Sequence, residues 1–206
     1  MAGCFITFEG GEGSGKSTQV RLLAGRLKAE GRDIVVTREP GGTPEAEAVR
    51  ALLVSGDVGR WTARAEALLN SAARDSHLEM IVRPALARGA IVICDRFMDS
   101  TRAYQGYAGG CPMDLLDAIE RVVVADTRPD LTLIFDLDPS IGLARAKSRA
   151  GAEDRYERKG LDFHQRLRAG FLEIQRHDPQ RCRLIDAARP VEDVAASVWA
   201  IVGEVL

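Results

Sequence analysis

Unbroken apolar runs, rather than alternating ones, recur along the chain at CFITFE (4–9), DIVVTR (33–38), AIVICD (90–95), LTLIFDLD (131–138) and RLID (183–186). An alternating strand keeps one wet face, whereas a continuous run is covered on both, so these segments predict strands sandwiched between helices. Helical spacing fills the intervals. Val20, Leu23 and Leu27 share a face, Thr43-Pro44-Glu45 supplies an N-cap, a first-turn proline and a first-turn acid, and Asp138-Pro139 repeats that start signal. A long helical stretch over 63–87 precedes the third run, and another over 113–125 follows a glycine-rich turn at 106–110. Strands alternating with helices require parallel crossovers, hence a doubly wound α/β sheet. No repeat or linker interrupts it, so one domain over 1–206 is expected.

Composition narrows the partners. The 206 residues are 46% hydrophobic and 28% charged with a net charge of -2, enough for a substantial core but without the basic footprint of a nucleic-acid binder. A small anionic ligand fits better. Cys4, Cys94, Cys111 and Cys182 are scattered, with no metal-ligand spacing to the three histidines. The start MAGCFITFEGG lacks a secretory pattern and nothing approaches a membrane-spanning run. The expectation is a cytoplasmic protein in a reducing compartment.

FEGGEGSGKSTQ (8–19) carries the strongest chemistry. Gly10-x-x-x-x-Gly15-Lys16-Ser17 matches a P-loop and has the required context, an apolar strand before it and an amphipathic helix after it. Its glycines let backbone N–H groups curl around phosphate at a helix N-terminus. Gly10, Gly11, Glu12, Gly13, Ser14, Gly15, Lys16, Ser17 and Thr18 are therefore expected to hold a nucleoside triphosphate, with Lys16 on the β and γ phosphates and Ser17 on Mg²⁺. A GTPase would read guanine through Asn-Lys-x-Asp, yet the only asparagine is Asn70, followed by Ser71. Motor and transport ATPase signatures are missing as well. A small-molecule kinase remains.

A phosphate acceptor needs no strong general base, because its attacking oxygen is already ionised; the difficulty is bringing two polyanions together. That demands arginines. Arg38 and Arg96 fall at carboxyl ends of strands, the edge where open α/β sheets bind ligands, and should share one crevice with Glu9 and Asp95. Asp95 and Glu9 are expected to support the Mg²⁺ shell, with Glu9 facing the same crevice toward the substrate. Arg74 on the long helix and Arg149, Arg155 and Arg158 in the charged segment 148–160 complete the set.

FEGGEGSGKST, TREPGGT (37–43), AAR (72–74), RPALARG (83–89), CDRFMDSTRAYQG (94–106), RPDLTLIFDLD (128–138) and EDRYE (153–157) together resemble the bacterial thymidylate kinases over essentially the whole chain. The resemblance implies a P-loop nucleoside-monophosphate-kinase-like three-layer sandwich with a five-stranded parallel sheet and a small lid. It also implies transfer of the γ-phosphoryl group of ATP to dTMP with Mg²⁺ in a homodimer, without nucleic-acid or membrane partners. By the same resemblance Arg96 holds the acceptor phosphate and Arg38 lines its pocket. Arg74 reads a thymine carbonyl, Ser100, Thr101 and Gln105 contact base and sugar, and Tyr104 packs where a 2′-hydroxyl would clash. The glycine-loop interior has no arginine, so it resembles the branch that keeps its transition-state arginine in the lid, with Arg155 leading and Arg149 and Arg158 behind it.

One position departs from the pattern. Asn70 stands four residues before Arg74, where the family carries a thymine-stacking phenylalanine. A kinase of another nucleoside monophosphate, and a P-loop ATP-binding regulatory module without efficient catalysis, are the alternatives. Lys16→Ala is expected to remove most turnover by misplacing the triphosphate; a coupled ADP-release assay reading near-normal kcat would rule that role out.

Overall fold

The computed structural model describes residues 3–147 and 154–206. Strands β1 (Cys4–Gly10), β2 (Ile34–Arg38), β3 (Ile91–Asp95), β4 (Leu131–Asp136) and β5 (Cys182–Asp186) form one parallel sheet in the order β2-β3-β1-β4-β5. The register sets Asp95 beside both Phe8 and Arg38, and Gly10 beside Phe135. The last residues of β1, β2 and β3 therefore share one edge.

Successive side chains of a strand point to opposite faces, and both faces are covered. On one face Ile6, Phe8, Leu133 and Ile185 pack against Val20, Leu23 and Leu27 of helix α1 (Lys16–Ala29). Val194, Val198 and Val202 of the C-terminal helix (Val191–Val202) close that layer. On the other face Phe5, Val92 and Cys94 meet Leu78, Val82 and Ala85, while Ile134 and Cys182 meet Leu167, Phe171 and Ile174. This is the three-layer arrangement that the continuous apolar runs require.

The start signals operate as expected. Thr43 Oγ1 accepts from the Ala46 amide at 3.1 Å to open α2 (Pro44–Val54), and Asp138 Oδ1 accepts from the Ser140 amide at 2.9 Å before the helix Pro139–Lys147. The stretch over 63–87 is not one regular helix. Helix α3 (Ala63–His77) passes into a wide turn over Leu78–Val82 before α4 (Arg83–Ala87). Pro84 cannot donate to a carbonyl one turn back, and the Arg83 amide reaches five residues back to Leu78 instead. Beyond β3, α5 (Met98–Thr101) likewise leads into a wide turn over Arg102–Tyr107, which takes in Gly106 from the expected glycine-rich turn. A Cβ on Gly106 would sit 2.6 Å from Met113 Sδ, at the start of α6 (Met113–Val123). After β4 and α7 (Pro139–Lys147), α8 (Leu161–His177) and β5 lead to α9 (Val191–Val202). Among the described residues no helix is long and apolar enough to cross a membrane.

Candidate active site

The chain leaves the central strand through Gly10, Gly13 and Gly15, at φ 133°, 65° and 87°. At Gly13 no side chain fits, since a Cβ would lie 2.0 Å from the Gly142 carbonyl oxygen. This turn aims the first amides of α1 into a common concavity, beside the helix's partial positive charge. Lys16 folds back over it, donating from Nζ to the carbonyls of Gly10 (3.0 Å) and Gly11 (2.8 Å) and to Ser14 Oγ (3.2 Å). Burial, then the neighbouring Arg96, lowers its pKa to about 8. Ser17 Oγ donates to Asp95 Oδ2 at 2.7 Å. A hydroxyl and a carboxylate beside a phosphate cradle are a donor set suited to Mg²⁺, which keeps several waters and takes few protein ligands. On the outer side Gly13, Gly15, Thr18, Arg145 and residues 187–191 border an open groove of about 570 Å³.

The other side of the loop opens into a narrower cavity of about 120 Å³. Arg96 stands at the junction. Its φ of 70° is a conformation that side-chain-bearing residues avoid, and the backbone on both sides is tied down: Arg96 N–H to the Phe8 carbonyl (2.9 Å), Phe97 N–H to Glu9 Oε1 (2.7 Å). The guanidinium then donates from Nη1 to the Gly10 carbonyl (2.9 Å) and Ser100 Oγ (3.2 Å), and from Nη2 to Glu12 Oε1 (3.0 Å). Tyr104 O–H donates to that same Glu12 oxygen at 2.6 Å, with its ring 4.9 Å below Arg96 Cζ. Burial alone would raise the Glu12 carboxyl, but Arg96, Lys16 and the Tyr104 hydroxyl overcome it and hold it at about 2.

The inner wall comes from α3, whose residues 66, 70, 74 and 77 form one polar stripe. Arg74 donates from Nε to Glu39 Oε2 (2.7 Å) and from Nη2 to Thr101 Oγ1 (3.0 Å), and its Cζ lies 5.0 Å from the Phe97 ring centre. His77 Nδ1 sits 2.9 Å from the other Glu39 oxygen, which can only accept. Asn70 lines the cavity without stacking. Its Nδ2 donates back to the Glu66 carbonyl at 2.8 Å.

Several expectations are corrected by this geometry. Glu12 belongs to the glycine loop by sequence, but its carboxylate turns into the inner cavity rather than toward the triphosphate side. Glu9 is wholly buried with each oxygen engaged, by Phe97 N–H and by Ser100 Oγ at 2.5 Å, so its carboxylate turns inward beneath the Arg96 segment rather than into the open crevice. Burial and the nearby Asp99 push its carboxyl up to about 8. Arg38 reaches the shared edge but points outward, donating from Nη2 to both Glu47 oxygens at 3.1 and 3.0 Å. Arg155 is fully enclosed. Four of its five N–H groups are spent on the carbonyls of Leu53 (3.0 Å), Asp57 (2.9 Å) and Val58 (2.9 Å) and on Glu66 Oε1 (2.6 Å). Such a side chain pins the α2–α3 connection and presents no edge to a phosphoryl group. Arg158 is half exposed, bound to Asp154 and the Gly56 carbonyl, and Arg149 lies outside the described residues, as does the rest of 148–153.

Sequence reasoning missed Glu39, Arg50, Glu66, Tyr156 and Glu157. Arg50 and Glu157 line the inner cavity, as does Tyr156, packed edge-on to Tyr104 at 5.5 Å. The stripe Glu66, Asn70, Arg74 and His77 at spacings of four, four and three was a usable signal for the buried acids behind the wall. A larger groove of about 740 Å³ between Asp99, Arg102, Glu120 and Arg181 includes no glycine-loop residue.

A P-loop at the carboxyl edge of a five-stranded parallel sheet, joined through one arginine to a second anion-suited cavity, defines a nucleotide kinase. The family model described as Thymidylate kinase matches residues 8–198. The chain is 58% identical over 200 residues to a thymidylate kinase of Caulobacter vibrioides, covering 97% of this chain and 96% of that one. It is 53% identical over 206 residues to one of Rhodopseudomonas palustris, covering 98% and 89%. The crystal structure of thymidylate kinase from Ehrlichia chaffeensis superposes with a TM-score of 0.81 at 36% identity, covering 98% of this chain and 99% of that one. The chain belongs to the thymidylate kinase family.

Arg155→Met is expected to cost about 3–5 kcal/mol of folding stability, since it leaves Glu66 buried without its counter-charge. Urea unfolding reads this. A loss below about 1 kcal/mol, with kcat lowered on the order of a thousandfold, would return Arg155 to the transferred phosphoryl group.

Proposed function

We propose that the residues of the crevice divide the work of one reaction between two nucleotide sites that meet at Arg96. The reaction is ATP-dependent phosphorylation of dTMP to dTDP. The ATP triphosphate lies on the amides of Gly11, Gly13, Ser14, Gly15, Lys16, Ser17 and Thr18, and Lys16 exchanges its carbonyl partners for phosphate oxygens. The adenine end lies toward the groove beside residues 187–191. Ser17, supported by Asp95, holds Mg²⁺, which neutralises phosphate charge when bound. Arg96 takes the acceptor phosphate, Ser100 and Glu12 stand by the sugar with Tyr104 beneath it, and Arg74, Thr101, Asn70 and Gln105 meet the base. Removing Arg155 leaves Arg149 as the leading donor to the moving phosphoryl group and Arg158 behind it, within a lid of a single domain.

The observation that carries this reading is the position of Arg96, hydrogen-bonded at once to the glycine-loop carbonyl of Gly10 and to Glu12 of the inner cavity. A phosphate held there is adjacent to the triphosphate cradle. Preference for another pyrimidine is the second reading, favoured by Asn70 in place of a stacking ring. ADP release with dTMP, dUMP and dCMP separates the two. Wild type is expected to favour dTMP, and Asn70→Phe to raise its kcat/KM about tenfold, as an added stacking platform allows. Equal kcat/KM values in both proteins would place Asn70 outside the base site, and no transfer to any acceptor despite bound ATP would favour the regulatory module.

The homodimer is also proposed. Helix α3 packs beside α6 (Met113–Val123), and the pair leaves Leu68 and Val122 51% and 80% exposed, apolar surface that a second copy would cover. Sedimentation should give twice the 22.4 kDa chain mass and Leu68→Glu should return the monomer; a monomeric wild type at micromolar concentration removes the dimer. The four free, buried cysteines fit a reducing, cytoplasmic setting.

A further inference from the structure

Glu66 stands behind the inner cavity rather than in it. It is 1% exposed, yet both of its carboxylate oxygens are assigned. Oε1 accepts from Arg155 Nη2 at 2.6 Å with Lys159 Nζ 3.6 Å away, and Oε2 accepts from Gln105 Nε2 at 2.9 Å. Gln105 is itself 2% exposed and lines the cavity. Its amide has a donating end and an accepting end of nearly identical shape, so which end faces a ligand depends on what lies behind it. A carboxylate only accepts. The amide nitrogen is therefore forced toward Glu66, with the Tyr156 hydroxyl 3.5 Å from the same nitrogen, and the carbonyl oxygen is the end left for the cavity.

We propose that Glu66 is a positioning residue for base selection: by holding the Gln105 amide nitrogen, it presents an acceptor oxygen to a pyrimidine that carries a ring N–H. This rests on the reading that the inner cavity takes dTMP. Thymine offers an N3–H beside its carbonyls, whereas cytosine offers an N3 lone pair beside an amino group. An acceptor fixed at Gln105 is matched to the first and repels the second. Arg74, tied by Glu39 and Thr101, supplies the donor for a neighbouring carbonyl. A buried site that hydrogen-bonds one partner rejects the mismatched one because its own polar atom is then left unpaired. Arg155 supplies the counter-charge that a carboxylate in this enclosure requires, while its three carbonyl bonds keep that charge in place.

Glu66→Gln tests the proposal. Arg155 would take the new amide oxygen, the new NH₂ would face Gln105, and Gln105 would turn its carbonyl toward it and its nitrogen into the cavity. The ratio of kcat/KM for dTMP to that for dCMP, read by ADP release, is expected to fall at least about tenfold, with dCMP use rising and the KM for ATP unchanged. On a Gln105→Leu background, which itself lowers the ratio, Glu66→Gln should change it no further. A purely structural role for Glu66 would lower both acceptors alike. If Glu66→Gln does not unfold cooperatively, the same ratio is read in Glu66→Gln/Arg155→Met, which removes both buried charges together. A ratio within about twofold of wild type in the folded variant, or one unmoved by Gln105→Leu, overturns the proposal. Failure of wild type to phosphorylate dTMP would instead overturn the reading on which it rests.

Discussion

A guanidinium taken out of water demands an anion against it, and the inner half of the crevice is built on that demand. Arg74 is set by Glu39, Arg155 by Glu66 and Arg96 by Glu12. Each carboxylate does more than cancel charge. Glu39 also meets His77, Glu66 also meets Gln105, and Glu12 also takes the Tyr104 hydroxyl. The acids thus turn a set of long, entropically expensive side chains into fixed directions before any nucleotide arrives. Ordering them in advance lowers what binding must contribute.

The glycine loop follows a different economy. Lys16 has no carboxylate within its hydrogen bonds and rests on the carbonyls of Gly10 and Gly11. Carbonyl dipoles satisfy the ammonium without holding it as an anion would, so phosphate oxygens can replace them at little cost. The two halves of the crevice accordingly differ in bracing: the glycine-loop side holds its ammonium by carbonyl dipoles, and the inner side holds its guanidiniums by carboxylates. Under the proposed assignment of two nucleotide sites, this division would fix one anion in place while leaving the cation that meets the other free to change partners.

How legible the molecule was in its sequence depends on whether the cause was local. The five strands, the caps at Thr43 and Asp138 and the backbone course of the glycine loop were readable, since spacing along a few residues decides them, though the direction of the Glu12 side chain was not. The wide turn at Leu78–Val82 was not foreseen, although Pro84 announced that a regular helix could not continue. At the site, strand ends located Arg38, Glu9 and Asp95 on the right edge without saying which way each points. Glu9 lies one residue from the loop and still faces inward, because alternation along β1 sends it toward Phe97 and Ser100. Arg155 was misjudged for a related reason: charge in a segment reads as exposure unless its partners are known, and those partners, Leu53, Asp57, Val58 and Glu66, lie about a hundred positions away. The polar stripe of α3 could have corrected this, since Glu66, Asn70, Arg74 and His77 repeat at helical spacing on a face that must point into protein.

Asn70 and the braced wall belong to the same physical problem. A stacking ring holds a pyrimidine through its face and tolerates any base, so much of the binding free energy it contributes does not discriminate. With an amide at that position, and with Asn70 Nδ2 already committed to the Glu66 carbonyl, the proposed base site offers no ring face there, and under that proposal selection would fall to directional hydrogen bonds at the edge of the base. Edge recognition depends more on the fixity of its donors and acceptors than stacking does, because a hydrogen bond weakens steeply as its angle departs from linear. A base site without an aromatic platform would therefore have more need of buried acids behind its hydrogen-bonding side chains, and Glu39 and Glu66 stand behind Arg74 and Gln105 in that way.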